Sequence, residues 1–253
     1  MYLKGVPLMR HLPLYLFSVI LLTSCSEDSS QPTTQVQETP KSLSGEERHQ
    51  GPNPHAKLTT EQHISVAMQH ADNGRVSEAL DVLSRAIAES PNDASLIGTR
   101  GSLLLAQNQV YEALVDFKKA VAIAPNSAVL RVNRAQAFRR FNLIPEARSD
   151  LDTAITLDPK LVPARFNRGV LLYDDGKYQD ALNDFNVCIE VAPKTAGPYF
   201  NRAVTRDAMN DLDGAKSDMK TFISLADNPE WIKIAKDTLV SWETGEPLKA
   251  PEN

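Results

Sequence analysis

The chain has little of what covalent or metal chemistry needs. It contains two cysteines, Cys25 and Cys188, and five histidines in 253 residues. That supply gives no multi-cysteine metal site. His11, His49 and His55 precede the region that can fold, and His63 and His70 stand two helical turns apart, too far for a compact ligand pair. No HExxH, GxSxG, phosphate-binding loop or GxGxxG occurs. The sequence therefore predicts no enzyme, no cofactor and no metal. Basic charge is not in excess either: 27 Lys and Arg face 32 Asp and Glu, a net −5, which leaves no footprint for nucleic acid. Long apolar runs are also lacking. The apolar stretch Leu12–Leu22 covers 11 residues, short of the about 20 that cross a bilayer.

What is present is repetition. Pro91, Pro125, Pro159 and Pro193 follow one another at intervals of 34 residues, as do Ala79, Ala113, Ala147, Ala181 and Ala215. Repeats starting at residues 60, 94, 128, 162 and 196 bring further positions into line. Position 8 holds Ala67, Gly101, Ala135, Gly169 and Ala203; position 27 holds Ala86, Ala120, Ala154 and Cys188. Small residues there let two helix axes approach closely. Position 24 is large and apolar: Leu83, Phe117, Leu151, Phe185 and Met219. Position 15 holds Gly74, Asn108, Asn142, Gly176 and Asn210, the residues that accept a left-handed conformation at a helix C-terminus. Four residues later, Glu78, Glu112, Glu146 and Asp180 suit the first turn of a second helix. A helix–turn–helix solenoid follows from that period.

The small–small–large–small–proline order resembles the tetratricopeptide repeat over about two-thirds of the chain. The resemblance implies an all-α, right-handed solenoid of about five helical hairpins, at 60–93, 94–127, 128–161, 162–195 and 196–229. Departures exist: no repeat has the early Trp of the pattern, and position 11 is aromatic only at Phe138, with His70, Leu104, Leu172 and Arg206 elsewhere. The fifth repeat diverges, with Phe222 in a small slot and Asp227 in place of Pro. Asn228-Pro229-Glu230 then reads as a helix start. Trp231, Ile234, Ala235, Thr238 and Trp242 recur at helical spacing, so residues 229–244 are expected to cap the last repeat, as solenoids require. Gly245 and Pro247 stop that helix, and 245–253 is a tail.

Residues 1–24 read as a secretory signal: Lys4, Arg10 and His11, then the apolar run, then Leu22-Thr23-Ser24-Cys25. Met9-Arg10-His11 would serve equally as the basic start. The last four residues resemble the bacterial lipoprotein box, which implies that Cys25 becomes the acylated N-terminus. Several acyl chains would then anchor the protein, since the mature charge offers no pull toward anionic lipid. Residues 25–57 are poor in large apolar groups and read as a tether. Ser26 favours an outer-membrane address by resemblance to enterobacterial sorting rules, while Ser26-Glu27-Asp28 is similar to surface-export signals of some Bacteroidetes lipoproteins. Cys188 sits in a small packing slot and reads as a core residue.

Two polar patterns stand out. Position 7 holds Arg100, Arg134, Arg168 and Arg202; position 23 holds Asp116, Asp150, Asp184 and Asp218. Both positions lie equally far from the turn, so each Arg is expected to pair with the Asp of its own hairpin. The first repeat has Val66 and Val82 instead. Asn133, Asn167 and Asn201 share position 6, which by resemblance borders the concave groove. They are similar to the asparagine ladder of O-linked N-acetylglucosamine transferases, which implies that they could hold an extended segment. Phe166, Phe200 and Tyr173 are candidate anchors there, and Arg139 a candidate for an acidic group. The lysines and arginines of a carboxylate clamp are missing at positions 2, 5 and 6. The expected function is a membrane-anchored adaptor binding envelope proteins or peptide segments; the alternative is a holder of extended client chains. Neither an oligomeric state nor a named partner follows from the residues.

Overall fold

A computed structural model describes residues 58–246. The expected signal, Cys25, the expected tether over 25–57 and residues 247–253 lie outside these residues. The described residues form eleven α-helices and no strand. Five hairpins follow in order: α1 (Thr60–Asp72) and α2 (Val76–Glu89), α3 (Ala94–Ala106) and α4 (Val110–Ile123), α5 (Ala128–Arg140) and α6 (Ile144–Leu157), α7 (Val162–Asp174) and α8 (Tyr178–Val191), α9 (Ala196–Ala208) and α10 (Leu212–Leu225). Helix α11 (Pro229–Thr244) closes the series.

Each hairpin turns where the sequence places Gly or Asn. Gly74, Asn108, Asn142, Gly176 and Asn210 all have positive φ, between 59° and 74°. The next residue then sends its N–H back to the position-11 carbonyl, as Arg75 does to His70, Leu143 to Phe138 and Asp211 to Arg206. This is the Schellman closure, and it satisfies carbonyls that the helix end would otherwise strand. The first helices of the first three repeats start on side-chain caps. Thr59 forms a capping box with Gln62, Asp93 accepts from the N–H groups of Ser95 and Leu96, and Ser127 accepts from that of Leu130. Asn228 caps α11 in the same way.

The core is divided into slices, as expected when each hairpin buries its apolar face against its neighbours. One cluster joins repeats one and two around Leu83, Leu96 and Ile97. A second runs from α3 to α7 around Phe117 and Leu151. The third joins repeats four and five to α11 through Phe185, Phe200 and Phe222. Within the slices, positions 8 and 24 match in volume. Gly101 faces Phe117 and Gly169 faces Phe185, and a Cβ added at Gly169 would stand 2.7 Å from the Phe185 ring. Where position 24 is Leu83, Leu151 or Met219, position 8 is Ala67, Ala135 or Ala203.

The hairpins stack with curvature. First helices of neighbouring repeats touch one another, α1 with α3, α3 with α5, α5 with α7 and α7 with α9, whereas second helices scarcely meet. The side carrying α1, α3, α5, α7 and α9 is therefore the concave one.

Candidate functional site

Positions 2, 6, 9 and 13 of each first helix fall at i, i+4, i+7 and i+11 and so share one face. The bond from Asn133 Nδ2 to Ser102 Oγ, 3.3 Å, joins α5 to α3 along that stripe. Its exposure changes along the chain. At position 6, Ser65 is exposed and Thr99 and Asn133 are half-buried, but Asn167 is 7% and Asn201 1% exposed. At position 9, Met68, Ser102 and Gln136 are half-buried, whereas Val170 is 0% and Val204 5% exposed. At positions 6 and 9 the stripe is accessible over the first three repeats and buried over the last two.

The three asparagines therefore do not form one ladder. Asn167 and Asn201 turn their amides onto their own helices and donate to Pro163 and Gly197 carbonyls at 2.8 and 3.1 Å. Their Oδ1 atoms are buried with no hydrogen-bond partner. Asn133 alone keeps access to the groove. Phe200 is also displaced from the groove set: it is buried in the core, with its ring 5.1 Å from Phe222 and 5.6 Å from Trp231. Helix α11 contributes to this burial, because it packs on α10 and sets Trp231 against the Phe200 ring. Phe166 is half-buried, 6.0 Å from the Phe185 ring, and Tyr173 is half-buried, 5.4 Å from the Tyr178 ring. Arg139 is half-buried at the turn end of α5.

The paired charges form on the opposite edge of each first helix. Arg100, Arg134, Arg168 and Arg202 each grip an aspartate in bidentate fashion, through Nε and Nη2. The distances are 2.8 Å twice to Asp116, 2.7 Å twice to Asp150, 2.7 and 2.8 Å to Asp184, and 2.8 and 2.6 Å to Asp218. All four aspartates are buried. Hydrogen bonding to the carboxylates raises the pKa of Arg100 and Arg168 further above its ordinary value, against a smaller opposing effect of burial. These pairs belong to the architecture, with Nε and Nη2 of each guanidinium committed to the aspartate of its own hairpin.

Further groups complete the seams. The remaining Nη1 of three arginines reaches position 25 of the preceding repeat: Arg100 to Ser84, Arg168 to Asp152 and Arg202 to Asn186. The corresponding residue for Arg134 is Lys118, which can donate but not accept. At position 4, Arg131 and Arg165 donate both to the buried aspartate and to the preceding repeat's Pro125 and Pro159 carbonyls. Tyr199 takes that place in repeat five, its hydroxyl donating to the Pro193 carbonyl at 3.1 Å. The sequence does carry a signal for this set, since residues 131, 165 and 199 keep the 34-residue interval.

Comparison with known proteins fits this geometry. The Tetratricopeptide repeat family pattern matches residues 67–128 and 132–187. No curated protein is significantly similar in sequence. Among solved structures, PilW, a widely conserved type IV pilus biogenesis factor, superimposes with a TM-score of 0.67 at 18% identity, covering 74% of this chain and 87% of its own. TTC0263, a thermophilic repeat protein of Thermus thermophilus, gives 0.59 at 19%, over 71% and 98%. YrrB, a repeat protein with an unusual peptide-binding site, gives 0.53 at 20%, over 69% and 90%. At such identities the likeness concerns the fold. The hairpins of this chain are tetratricopeptide repeats, and the chain belongs to that family, whose fold serves as a scaffold for protein–protein interaction.

Proposed function

We propose that this protein is a lipid-anchored adaptor of the bacterial envelope, which captures a polypeptide segment of a partner on its concave face. The observation that carries the capture is the open stripe of hydroxyls and amides on α3 and α5. It supplies hydrogen-bond donors and acceptors in a curved surface that the fold leaves uncovered. The anchor rests on Leu22-Thr23-Ser24-Cys25 at the end of a signal-like leader. YrrB, whose fold this chain shares, has a peptide-binding site, which is consistent with the same use of the surface. A short open stripe suits an adaptor with few partners better than a holder of long client chains.

Two experiments test the reading. Cys25→Ser should abolish lipid labelling and release the folded domain from membranes; a variant that stays as membrane-bound as the parent would remove the lipoprotein reading. Crosslinking in cells, followed by mass spectrometry, should give few partners at fixed stoichiometry. Many extended peptides held weakly, with suppression of aggregation, would point to a client holder instead.

A further inference from the structure

The seams between repeats follow one pattern and break it once. Arg100, Arg168 and Arg202 aim Nη1, the nitrogen their aspartates leave over, at position 25 of the preceding repeat. Ser84, Asp152 and Asn186 accept it there at 3.2, 2.8 and 2.7 Å. For Arg134 that position holds Lys118, and its Nη1 has no partner among the described residues. The nitrogen is not sealed off, since the buried polar atoms without a partner are His70 Nδ1, Asn167 Oδ1, Asn201 Oδ1 and Thr238 Oγ1. The guanidinium is nonetheless fixed, by two bonds of 2.7 Å to Asp150 and by the Phe138 ring, whose centroid lies 5.6 Å away. A held donor thus faces a cation where the other seams supply an acceptor. Lys118 and Lys119 are exposed and form no ion pair among the described residues. Lysine recurs at position 25 as Lys220, and there the chain answers it with a carboxylate: Glu243 of α11 stands 3.4 Å from Nζ. The flanks of the seam differ too. One seam further on, positions 18, 22, 25 and 26 (Pro145, Ser149, Asp152 and Thr153) and the next position 14 (Asp175) line an open groove of about 770 Å³. At the lysine seam the same positions hold Tyr111, Val115, Lys118, Lys119 and Phe141. Tyr111 is 68%, Val115 50% and Phe141 41% exposed. The exposed acid on α4, Glu112, stands six residues before Lys118, about 9 Å along the axis.

We propose that the outer face between repeats two and three is a second docking site, which takes an acidic segment of a partner polypeptide. A carboxylate of that segment sits between Arg134 Nη1 and Lys118 Nζ, and apolar side chains on either side of it lie against Tyr111, Val115 and Phe141. A carboxylate carries lone pairs enough to accept from both cations at once, and such charge-assisted bonds are the strong ones. The guanidinium is ordered beforehand, so little side-chain freedom is lost at that half of the site. Apolar flanks keep water from the charged contact and so strengthen it. The site lies on the second helices, away from the concave face, and stands or falls separately from capture there.

The test uses the full chain and a fluorescein-labelled hexapeptide, Gly-Leu-Glu-Phe-Glu-Gly, read by fluorescence anisotropy. Binding should saturate below about 1 mM and weaken by about tenfold or more when both Glu are replaced by Gln. Lys118→Asp should close the site, because it gives Arg134 the kind of acceptor that Asp152 gives Arg168. Binding should then be lost while the urea midpoint of the chain rises. Lys119→Asp should weaken binding without raising the midpoint. Tyr111→Ser with Val115→Ser should weaken binding by about tenfold, with the helices retained by circular dichroism. Asn133→Ala, in the concave groove, should leave it unchanged. No saturable binding, equal affinity for the Gln peptide, or a Lys118→Asp variant that binds like the parent or gains no stability would overturn the proposal. So would Lys118-dependent binding to phosphatidylglycerol vesicles in preference to the peptide, which would make the face a membrane contact instead.

Discussion

Removing Asp184 measures how much one buried charge hub contributes to the solenoid. Its carboxylate is 1% exposed and accepts three guanidinium bonds, from Arg168 Nε at 2.7 Å, Arg168 Nη2 at 2.8 Å and Arg165 Nη1 at 2.9 Å. Asp184→Ala leaves two arginines without their common partner. Losing one member of a buried pair costs about 3–5 kcal/mol. The two arginine side chains are 19% and 24% exposed and can recover some hydration, so a value of about 3 kcal/mol is expected. The cycle through Arg168→Ala, Asp184→Ala and the double variant should show a coupling of about 2 kcal/mol. A control cycle on Arg148 and Asp175 should give about 0.5 kcal/mol or less, because Asp175 is 46% exposed and that pair is solvated. Urea unfolding by circular dichroism provides the readout, fitted to a nearest-neighbour scheme because repeats unfold as coupled units. Equal couplings in the two cycles would refute the claim that burial, rather than charge pairing as such, gives the hub its weight.

Three further outcomes follow from the packing. Gly169→Ala should destabilise by about 1–2 kcal/mol, since crowding against Phe185 outweighs the helix preference of Ala, and adding Phe185→Leu should recover much of the loss in urea unfolding. Burial raises the Asp207 carboxyl pKa, offset less by the Trp242 side-chain hydrogen bond, so the folded chain holds that proton more tightly than the unfolded one. The ionised carboxylate then costs stability above the folded pKa, and the cost vanishes below the unfolded value. Asp207→Asn should melt higher than the parent at about pH 7 and converge with it toward about pH 3, followed by tryptophan fluorescence. Burial pushes the Cys188 thiol up to about 12, so a thiol reagent should label it only after denaturation; rapid labelling of the native chain would contradict its packing.

The hairpins were legible because their determinants are local and recur. Asn142 and Gly176 mark turns through backbone conformation, and Glu112 and Asp180 mark helix starts through the dipole. Arg168 and Asp184 could be matched because a hairpin about position 15 brings equidistant residues together. The groove was legible only in part. The fates of Asn167 and Asn201 depend on how neighbouring helices close over them, and position within a repeat does not carry that information. Phe200 illustrates the same limit, since its burial requires Trp231 on a helix that is not part of the repeat. The pairing of Gly169 with Phe185 could have been read from the sequence, because glycine and phenylalanine alternate together with alanine and leucine. Arg131 and Arg165 kept the repeat interval too, but their dual role joins two repeats and becomes visible only in three dimensions.

The seams also have a direction. Arg100, Arg168 and Arg202 each reach back to the repeat that precedes them, and Arg131, Arg165 and Tyr199 do the same to a preceding proline carbonyl. Every one of these bonds finds its acceptor in chain that has already been synthesised. A polypeptide emerging N-terminus first can thus fasten each repeat as it appears, without waiting for later residues to supply an acceptor. The first described repeat carries Val66 and Val82 at the positions where later repeats carry Arg and Asp. Shortening the chain from its C-terminus leaves these backward bonds intact in the repeats that remain. Shortening it from the N-terminus removes the backward acceptors of the new first repeat, while its own Arg–Asp pair remains. Growth and loss of repeats at the two ends are therefore unequal events for this molecule.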